Sequence, residues 1–371
     1  MTAGFSSVVI LAPNWLGDCV MALPAIADLR RAFPSAALAV AARRSVADVF
    51  TLAPFVDRTI PLEWNGRWWQ RGTMRTDAER LRALGPSLAI LLPNSFAAAW
   101  LVWQAGVPER WGYGTDMRGR LLTRALPRPA GSRHQGAYYQ YLTRELGIDC
   151  GPLEPAVTVR EEVVAAARGL LVAHGWNAST PLVVLAPGAA YGSAKRWTSA
   201  HVARLTSKLA LERQATCVLT GSVRDASTVR QILGAVEPEA MPRVIDGTGT
   251  TIEVLAGMLA LAAACVANDS GAMHLAAAVG TPVVGLFGPT SEYVARPLTR
   301  EGRRAVVLTE PVWCRPCGLR RCPIDHRCMK RITPERVYDA LQALIDPTVR
   351  SAGLQPSPHV RSAGLQPGRA S

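Results

Sequence analysis

Short apolar runs alternate along this chain with longer stretches in which apolar residues recur at helical spacing. The clearest apolar runs, at residues 7–12, 88–92, 182–186 and 283–287, predict buried strands. The stretches at residues 20–33, 199–212 and 252–262 predict helices packed on those strands. Regular alternation of this kind predicts an α/β fold with parallel sheets covered by helices.

The pattern begins twice, once near residue 7 and again near residue 182, and each time a strand leads through a glycine-containing loop into a helix. With 371 residues, the chain is long enough for two cores. We therefore predict two Rossmann-like domains, residues 1–160 and 161–332, that face a central cleft. A closing helix at 333–346 is expected to pack back on the N-terminal domain. The tail at 347–371 repeats VRSAGLQP and is expected to be disordered.

The loop between the apolar run ending at residue 268 and the following helix carries Asp269, Ser270 and Gly271, with His274 one turn further on. Ligands of open α/β sheets bind at the carboxyl ends of strands, and a helix N-terminus there favours an anion. This loop is therefore a candidate ligand site. Simple helix capping by Asp269 and Ser270, and packing by His274, are the alternatives.

Three other loops hold polar residues at equivalent places. Gly17 and Asp18 follow the first strand, where Asp18 is either an ordinary helix cap or a general base. Gly188 and Lys195 follow the strand at 182–186, where a lysine could neutralise a diphosphate. Asp225 follows the next strand, at a position suited to ribose hydroxyls.

The net charge of +13 points to an anionic partner, which could be nucleic acid, a membrane surface or a phosphorylated substrate. Residues 64–82 mix tryptophan with arginine, which favours a membrane or an acceptor molecule as their contact. Apolar runs are too short to cross a bilayer, and no basic leader precedes the first of them. We expect a cytoplasmic protein.

Four of the eight cysteines cluster in a basic segment with C-x2-C-x4-C-x5-C spacing: Cys314, Cys317, Cys322 and Cys328. Clustered cysteines in a cytosolic protein favour metal binding, which here would be structural zinc or an iron–sulfur cluster. The irregular spacing leaves reduced thiols or a redox disulfide as an equal alternative.

Four motifs in order resemble glycosyltransferase family 9, the ADP-heptose:lipopolysaccharide heptosyltransferases. They are Asn-Trp-Leu-Gly-Asp at 14–18, Leu-Pro-Asn-Ser-Phe at 92–96, Pro-Gly-Ala at 187–189 with Ala-Lys-Arg-Trp at 194–197, and Asn-Asp-Ser-Gly at 268–271 with Met-His at 273–274. The second and third look most like the heptosyltransferase II branch. The resemblance runs from about residue 7 to about residue 345.

The resemblance implies a GT-B fold and an inverting, metal-independent transfer of L-glycero-D-manno-heptose from ADP-heptose to the first heptose of the lipopolysaccharide inner core. Asp18 then matches the catalytic base and Lys195 the group that stabilises the diphosphate. Donor-binding residues would be Gly188, Asp225, Asp269, Ser270, Gly271 and His274. Acceptor-binding residues would be Asn14, Gly17, Asn94, Arg118 and Arg120.

The implied partners are ADP-heptose and a phosphorylated lipid A–Kdo–heptose acceptor, with peripheral contact to the inner membrane and no nucleic acid. The cysteine cluster would not be catalytic. Two other hypotheses stay open at this point. One is another GT-B nucleotide-sugar enzyme, either a heptosyltransferase I-like transferase or an epimerase. The other is a basic, metal-containing nucleic-acid binder, which leaves the paired Rossmann-like loops unexplained.

Overall fold

The structure is a computed structural model that describes residues 4–64, 70–300, 302 and 304–345. Its first sheet contains six parallel strands in the order β3-β2-β1-β4-β5-β6. These strands are β1 (Ser7–Leu11), β2 (Ala37–Arg43), β3 (Arg58–Leu62), β4 (Leu88–Leu91), β5 (Glu109–Tyr113) and β6 (Arg124–Leu126).

The second sheet also contains six parallel strands, in the order β12-β11-β10-β7-β8-β9. They are β7 (Leu182–Ala186), β8 (Thr216–Gly221), β9 (Val244–Thr248), β10 (Ala264–Asn268), β11 (Val283–Phe287) and β12 (Ala305–Thr309). Counted from its own first strand, each sheet has the order 3-2-1-4-5-6 of a Rossmann fold. The prediction of two Rossmann-like units is confirmed.

Helices connect the strands. They are α1 (Leu16–Ala32), α2 (Arg44–Ala47), α3 (Arg71–Ala83), α4 (Phe96–Gln104), α5 (Gln135–Glu145), α6 (Glu161–Ala173), α7 (Ser199–Glu212), α8 (Ala226–Leu233), α9 (Ile252–Leu261), α10 (Gly271–Val279), α11 (Glu292–Ala295), α12 (Arg327–Lys330) and α13 (Pro334–Ile345). The described residues also form 3₁₀ turns at Asp48–Leu52, Arg118–Leu121, Ser193–Lys195, Val223–Asp225 and Met241–Arg243.

The order of the strands reverses at two places, between β1 and β4 and between β7 and β10. At such a switch point the loops on either side diverge and leave a crevice at the carboxyl ends of the strands. The motifs that begin at residues 14, 92, 187 and 268 follow β1, β4, β7 and β10 in turn. All four motifs therefore lie at the two switch points.

The two sheet units pack together through α1 and α10. Val20 and Ile26 of α1 are buried in the same apolar cluster as Leu275 of α10. Two polar contacts join the units elsewhere: Thr51 Oγ1 donates to Glu253 Oε1 at 2.7 Å, and a ring N–H of His134 donates to a carbonyl oxygen across the interface at 2.9 Å. The two units therefore share an apolar core.

The closing helix α13 differs from expectation. It packs on β10, β11, β12 and α7, and its apolar side chains Val337, Leu341 and Leu344 are buried in the core of the second sheet. Burial of each such side chain is worth about 1.5–3 kcal/mol. The expectation that this helix packs on the N-terminal domain is therefore wrong. The domain boundary at residue 160 stays a prediction.

Among the described helices, none combines the length and the apolar character needed to span a bilayer. The proposed disordered tail at 347–371 lies outside the described residues, as do Arg67, Trp68 and Trp69 of the tryptophan-rich segment.

Candidate functional site

Asp18 lies in the first turn of α1, on the side of the first unit that faces the second unit. The helix begins at Leu16, four residues earlier than the sequence predicted, and the extended backbone of Trp15 leads into it. The hydroxyl of Tyr139, on α5, donates to Asp18 Oδ1 at 3.4 Å. The carboxylate is therefore held at the carboxyl end of β1 with one weak hydrogen bond.

The electrostatic surroundings of Asp18 make it a better base than a surface carboxylate. Burial raises its pKa from 3.8 to about 6, opposed by the hydrogen bond from Tyr139 and by the charge of Lys195, while Asp269 raises it further. These influences place Asp18 within electrostatic range of two charged groups of the opposite unit. A carboxylate with this pKa is largely ionised at neutral pH and still able to take up a proton.

Lys195 ends the 3₁₀ turn that follows β7, and it points at the loop after β10. Its Nζ atom lies 2.6 Å from Asp269 Oδ2, with only 13% of the lysine side chain exposed. It also lies 4.8 Å from the centre of the Tyr191 ring. Thr290 Oγ1 donates to the same carboxylate oxygen at 2.6 Å. Asp269 therefore anchors the ammonium group, a role that its position in the sequence did not reveal.

The N-terminus of α10 has no side-chain cap. Ser270 occupies the N-cap position with extended backbone, makes no capping hydrogen bond, and leaves its buried Oγ atom without a partner. The helix starts at Gly271, so its first backbone N–H groups are free to bind an anion. The alternative in which Asp269 and Ser270 serve only as caps does not fit this geometry.

Glycines allow α1 and α10 to meet at their first turns. A Cβ atom on Gly271 would lie 2.6 Å from Leu16 Cβ, and one on Gly17 would lie 2.9 Å from the ring of His274. Both distances are shorter than real side-chain contacts. His274 is buried, which lowers its pKa to about 4 and keeps the ring neutral. In this structure His274 is an interface packing residue.

Asp225 is occupied by local partners. Its Oδ2 accepts from the backbone and the hydroxyl of Ser222 in a capping box, and its Oδ1 lies 3.5 Å from the guanidinium of Arg196. A Cβ on Gly188 would lie 2.7 Å from the Asp225 carboxyl carbon, so the two loops touch. The ribose contact predicted for Asp225 stays a prediction.

The residues predicted to bind an acceptor occupy different environments. Asn14 and Arg120 are exposed, and Asn94 donates to the Tyr138 hydroxyl at 2.8 Å while its Oδ1 is buried without a partner. Arg118 has no exposed surface, and its guanidinium donates to the backbone carbonyls of residues 93, 95 and 113. The prediction that Arg118 contacts the acceptor is therefore corrected: this side chain braces the loop that carries Asn94.

The cysteine loop, residues 311–328, lies against the loop that carries Lys195. The backbone N–H of Ala194 donates to the carbonyl of Arg320 at 3.0 Å, and the Ala194 carbonyl accepts from the ring of His326 at 2.7 Å. Arg315 donates to carbonyls of the Thr290 loop. The cysteine loop therefore holds both segments that fix Lys195 and Asp269.

The zinc or iron–sulfur prediction finds no support. Within the described part of the chain, no three histidine, cysteine or acidic side chains are grouped so that they could hold a metal ion. All four clustered cysteines are free, with Cys317 exposed and Cys328 buried in the core of the second sheet. The thiols do lie near one another, because the charges of Cys314, Cys317 and Cys322 add to the effect of burial in raising the pKa of Cys328.

Sequence reasoning missed Tyr139 and Thr290. Tyr139 is 121 residues from Asp18, so no local pattern linked them. Thr290 follows β11 at the carboxyl edge of the second sheet, and this position was the one available signal.

Comparison with known proteins places this geometry in a family context. Residues 75–327 match the family model of glycosyltransferase family 9 (heptosyltransferase). Lipopolysaccharide heptosyltransferase 2 of Escherichia coli strain K12 is 30% identical over 352 residues, which cover 91% of this chain and 98% of that protein.

Two solved structures share the fold. The E. coli ADP-heptose lps heptosyltransferase II superposes with a TM-score of 0.77 at 29% identity, covering 91% of this chain and 98% of the other. The glycosyltransferase family 9 protein of Veillonella parvula DSM 2008 gives a TM-score of 0.79 at 21% identity, covering 93% and 98%. The predicted GT-B fold is confirmed.

Proposed function

The chain belongs to glycosyltransferase family 9, the heptosyltransferases, and from this premise we propose that it moves L-glycero-D-manno-heptose from ADP-heptose to the first heptose of the lipopolysaccharide inner core. The observation that supports this proposal most strongly is that Asp18 lies within electrostatic range of the Lys195–Asp269 pair. A base comes from one unit and a cation from the other, each at the switch point of its sheet.

In the proposed reaction Asp18 takes the proton from the acceptor hydroxyl as that oxygen attacks the anomeric carbon. The bond from the anomeric carbon to the diphosphate oxygen breaks, and its electron pair leaves with ADP. Attack and departure on opposite faces invert the configuration. The raised pKa of Asp18 suits this residue to the role of base, because general bases work best when their pKa lies near the working pH.

Negative charge grows on the diphosphate as the bond breaks. We assign its stabilisation to the Lys195 ammonium and to the free N–H groups at the start of α10. Asp269 holds the ammonium at this point. Because these groups are already in place, they supply charge stabilisation without a metal ion.

The proposed partners are ADP-heptose and a phosphorylated lipid A–Kdo acceptor that already carries one heptose. The arginine excess fits a phosphorylated acceptor, and the proposed location is the cytoplasm with peripheral contact to the inner membrane. Gly188 and Asp225 remain proposed donor contacts, and Asn14, Gly17, Asn94 and Arg120 proposed acceptor contacts.

The test supplies purified protein with ADP-heptose and a core acceptor that carries one heptose, and it records ADP release and product mass. We expect a product heavier by one heptose, which Asp18→Asn should abolish. Transfer only to an acceptor without heptose would instead indicate the activity of the heptosyltransferase I branch. Absence of transfer to both acceptors would overturn the proposal.

A further inference from the structure

Helix α4 exposes a row of aromatic rings on its outer face. Its inner face, with Ala98, Ala99, Leu101 and Val102, is buried on the first sheet. Outside, the ring of Phe96 stacks on Trp100 at 6.1 Å between centroids, and Trp100 stacks on Trp103 at 4.7 Å. We call these three residues the aromatic row.

The aromatic row is accessible to a partner. Phe96 is 43% exposed and Trp103 is 46% exposed. Met117 is 92% exposed and lies in the neighbouring loop, where the Asp116 carboxylate accepts from the first backbone N–H of α4. Contiguous apolar surface of this kind is uncommon on soluble proteins and marks interaction sites. Stacking along one helix face also fixes the rings, so little side-chain entropy is lost when a partner covers them.

Arginines lie on the elements that flank α4. Helix α3 packs against it and carries exposed Arg75 and Arg82, the second of which donates to the carbonyl of Gln104 at the end of α4. The 3₁₀ turn that contains exposed Arg120 packs against α4 as well. The acidic neighbours are Glu79, which pairs with Arg75, and Asp116, which accepts from the N-terminus of α4.

The aromatic row is continuous with the proposed acceptor side of the cleft. Helix α4 begins two residues after Asn94, in the loop at the switch point of the first sheet. A molecule bound at that loop therefore has the aromatic row directly beside it. An acceptor anchored in a bilayer would bring a lipid surface to the same place.

We propose that the aromatic row, together with Met117, docks on the surface of a bilayer that contains anionic lipids. Tryptophan and phenylalanine would enter the boundary between headgroups and acyl chains, while Arg82 and Arg120 would meet lipid phosphates. The inference rests on the proposed function, because that function supplies a lipid-anchored acceptor. Charge complementarity favours an anionic lipid surface over a second copy of this basic chain.

The test is flotation of the full chain with phosphatidylethanolamine vesicles that contain phosphatidylglycerol, compared with pure phosphatidylcholine vesicles. The variant combines Trp103→Ser with Met117→Ser, and Trp313→Ser serves as the matched control because Trp313 is 77% exposed on the other unit. We expect the double variant to bind anionic vesicles about tenfold more weakly and the control to bind as the unchanged protein does.

Turnover on a water-soluble, delipidated acceptor separates this inference from the proposed function. The double variant should keep that turnover. Equal vesicle binding by the variant and the unchanged protein, or no binding by either, would overturn the docking proposal. Turnover on the water-soluble acceptor would in that case leave the proposed function intact. Loss of self-association in the variant, without any vesicle binding, would assign the row to a second copy. Vesicle binding through the row without any heptose transfer would overturn the function alone.

Discussion

The Nζ atom of Lys195 lies 2.6 Å from Oδ2 of Asp269, although the two residues are 74 positions apart. This ion pair joins the loop after β7 to the loop after β10, the two loops that flank the switch point of the second sheet. An ammonium group has three N–H donors, and Asp269 uses one of them. The others can serve a diphosphate at the start of α10.

Removal of the Lys195 charge should slow the chemical step. Lys195→Ala is expected to lower kcat about 100-fold, since one preorganised donor to a developing oxyanion has an effect of that size. Asp269→Asn should lower kcat less, and the double variant should be no worse than Lys195→Ala, because the carboxylate acts through the lysine. Steady-state ADP release measures all three. Lys208→Ala, in a surface pair with Glu212, is the control. If the fold-losses in kcat of the two single variants multiplied in the double variant, the anchoring role of Asp269 would be contradicted.

The pH dependence of turnover should report Asp18. Since only the ionised carboxylate can accept a proton, kcat/KM for the acceptor should rise as pH increases through about 6 and then level off. Asp18→Asn should be inactive across this range. Asp18→Glu should retain weak activity, and its rise in kcat/KM should occur at a different pH. A flat profile between about pH 5 and pH 8 would argue against Asp18 as the base.

Ionisation of the buried Asp18 carboxyl should destabilise the folded protein. In the folded protein the pKa of Asp18 is about 6, against an ordinary value of 3.8. The contribution of Asp18 to stability is therefore complete below pH 3.8, where the carboxyl is neutral, and it is lost as the pH rises through 6. Asp18→Asn should therefore raise the free energy of unfolding at pH 7 by about 2–3 kcal/mol, and the gain should shrink toward pH 4. Denaturant unfolding at both pH values measures it.

Asp57 provides the opposite control for that measurement. The backbone N–H of Leu38 and the side chain of Arg30 lower the pKa of Asp57. Asp57→Asn should therefore destabilise the protein at pH 7. If both asparagine variants shifted stability in the same direction, burial of Asp18 would not be the cause.

The contact between α1 and α10 should not tolerate a methyl group. Gly271→Ala places Cβ 2.6 Å from Leu16 Cβ, and we expect a loss of about 1–3 kcal/mol in stability together with reduced turnover, because the site residues sit on these two helices. Leu16→Gly in the same chain, which removes that Cβ atom, should restore part of both. Gly72→Ala, where a Cβ would meet nothing within 4 Å, is the matched control. Thermal unfolding and ADP release measure the outcome.

His326 should act on turnover through Ala194. His326→Ala removes the ring that donates to the carbonyl next to Lys195, so kcat should fall about tenfold while the acceptor KM changes little. His326→Gln, whose amide can donate at similar reach, should recover most of kcat. His174→Ala removes a similar ring-to-carbonyl bond far from the site and should have no effect. A fall in stability without a change in kcat would show a purely structural role.

Much of the fold follows from the sequence because buried parallel strands are continuous apolar runs. Strands such as Val283–Phe287 and helices such as Ser199–Glu212 match their predicted limits. Strands β5 and β6 were not predicted, because charged residues interrupt their short sequences, ERWGY and RAL, so neither forms a continuous apolar run. Trp111 and Tyr113 of β5 are nevertheless buried in the core, and β6 is held by backbone pairing to β5.

The candidate site was predicted in part for a similar reason. Loops at the carboxyl ends of strands can be read from local sequence, which located Asp18, Lys195 and Asp269. Partners cannot be read in this way when they come from distant elements, as Tyr139 does for Asp18. Burial of Arg118 is equally invisible, because an arginine in a loop resembles a surface residue until its backbone acceptors are known.

The close approach of α1 and α10 brings two helix N-termini, each carrying partial positive charge, to the same boundary. The Asp18 carboxylate, in the first turn of α1, offsets part of the repulsion between these ends. A nucleotide diphosphate bound beside them, as proposed, would act as a further counter-ion, attracted by both halves of the molecule at once. The donor would then be a reversible cross-link as well as a substrate, and the departure of ADP would weaken the attachment that its arrival strengthened.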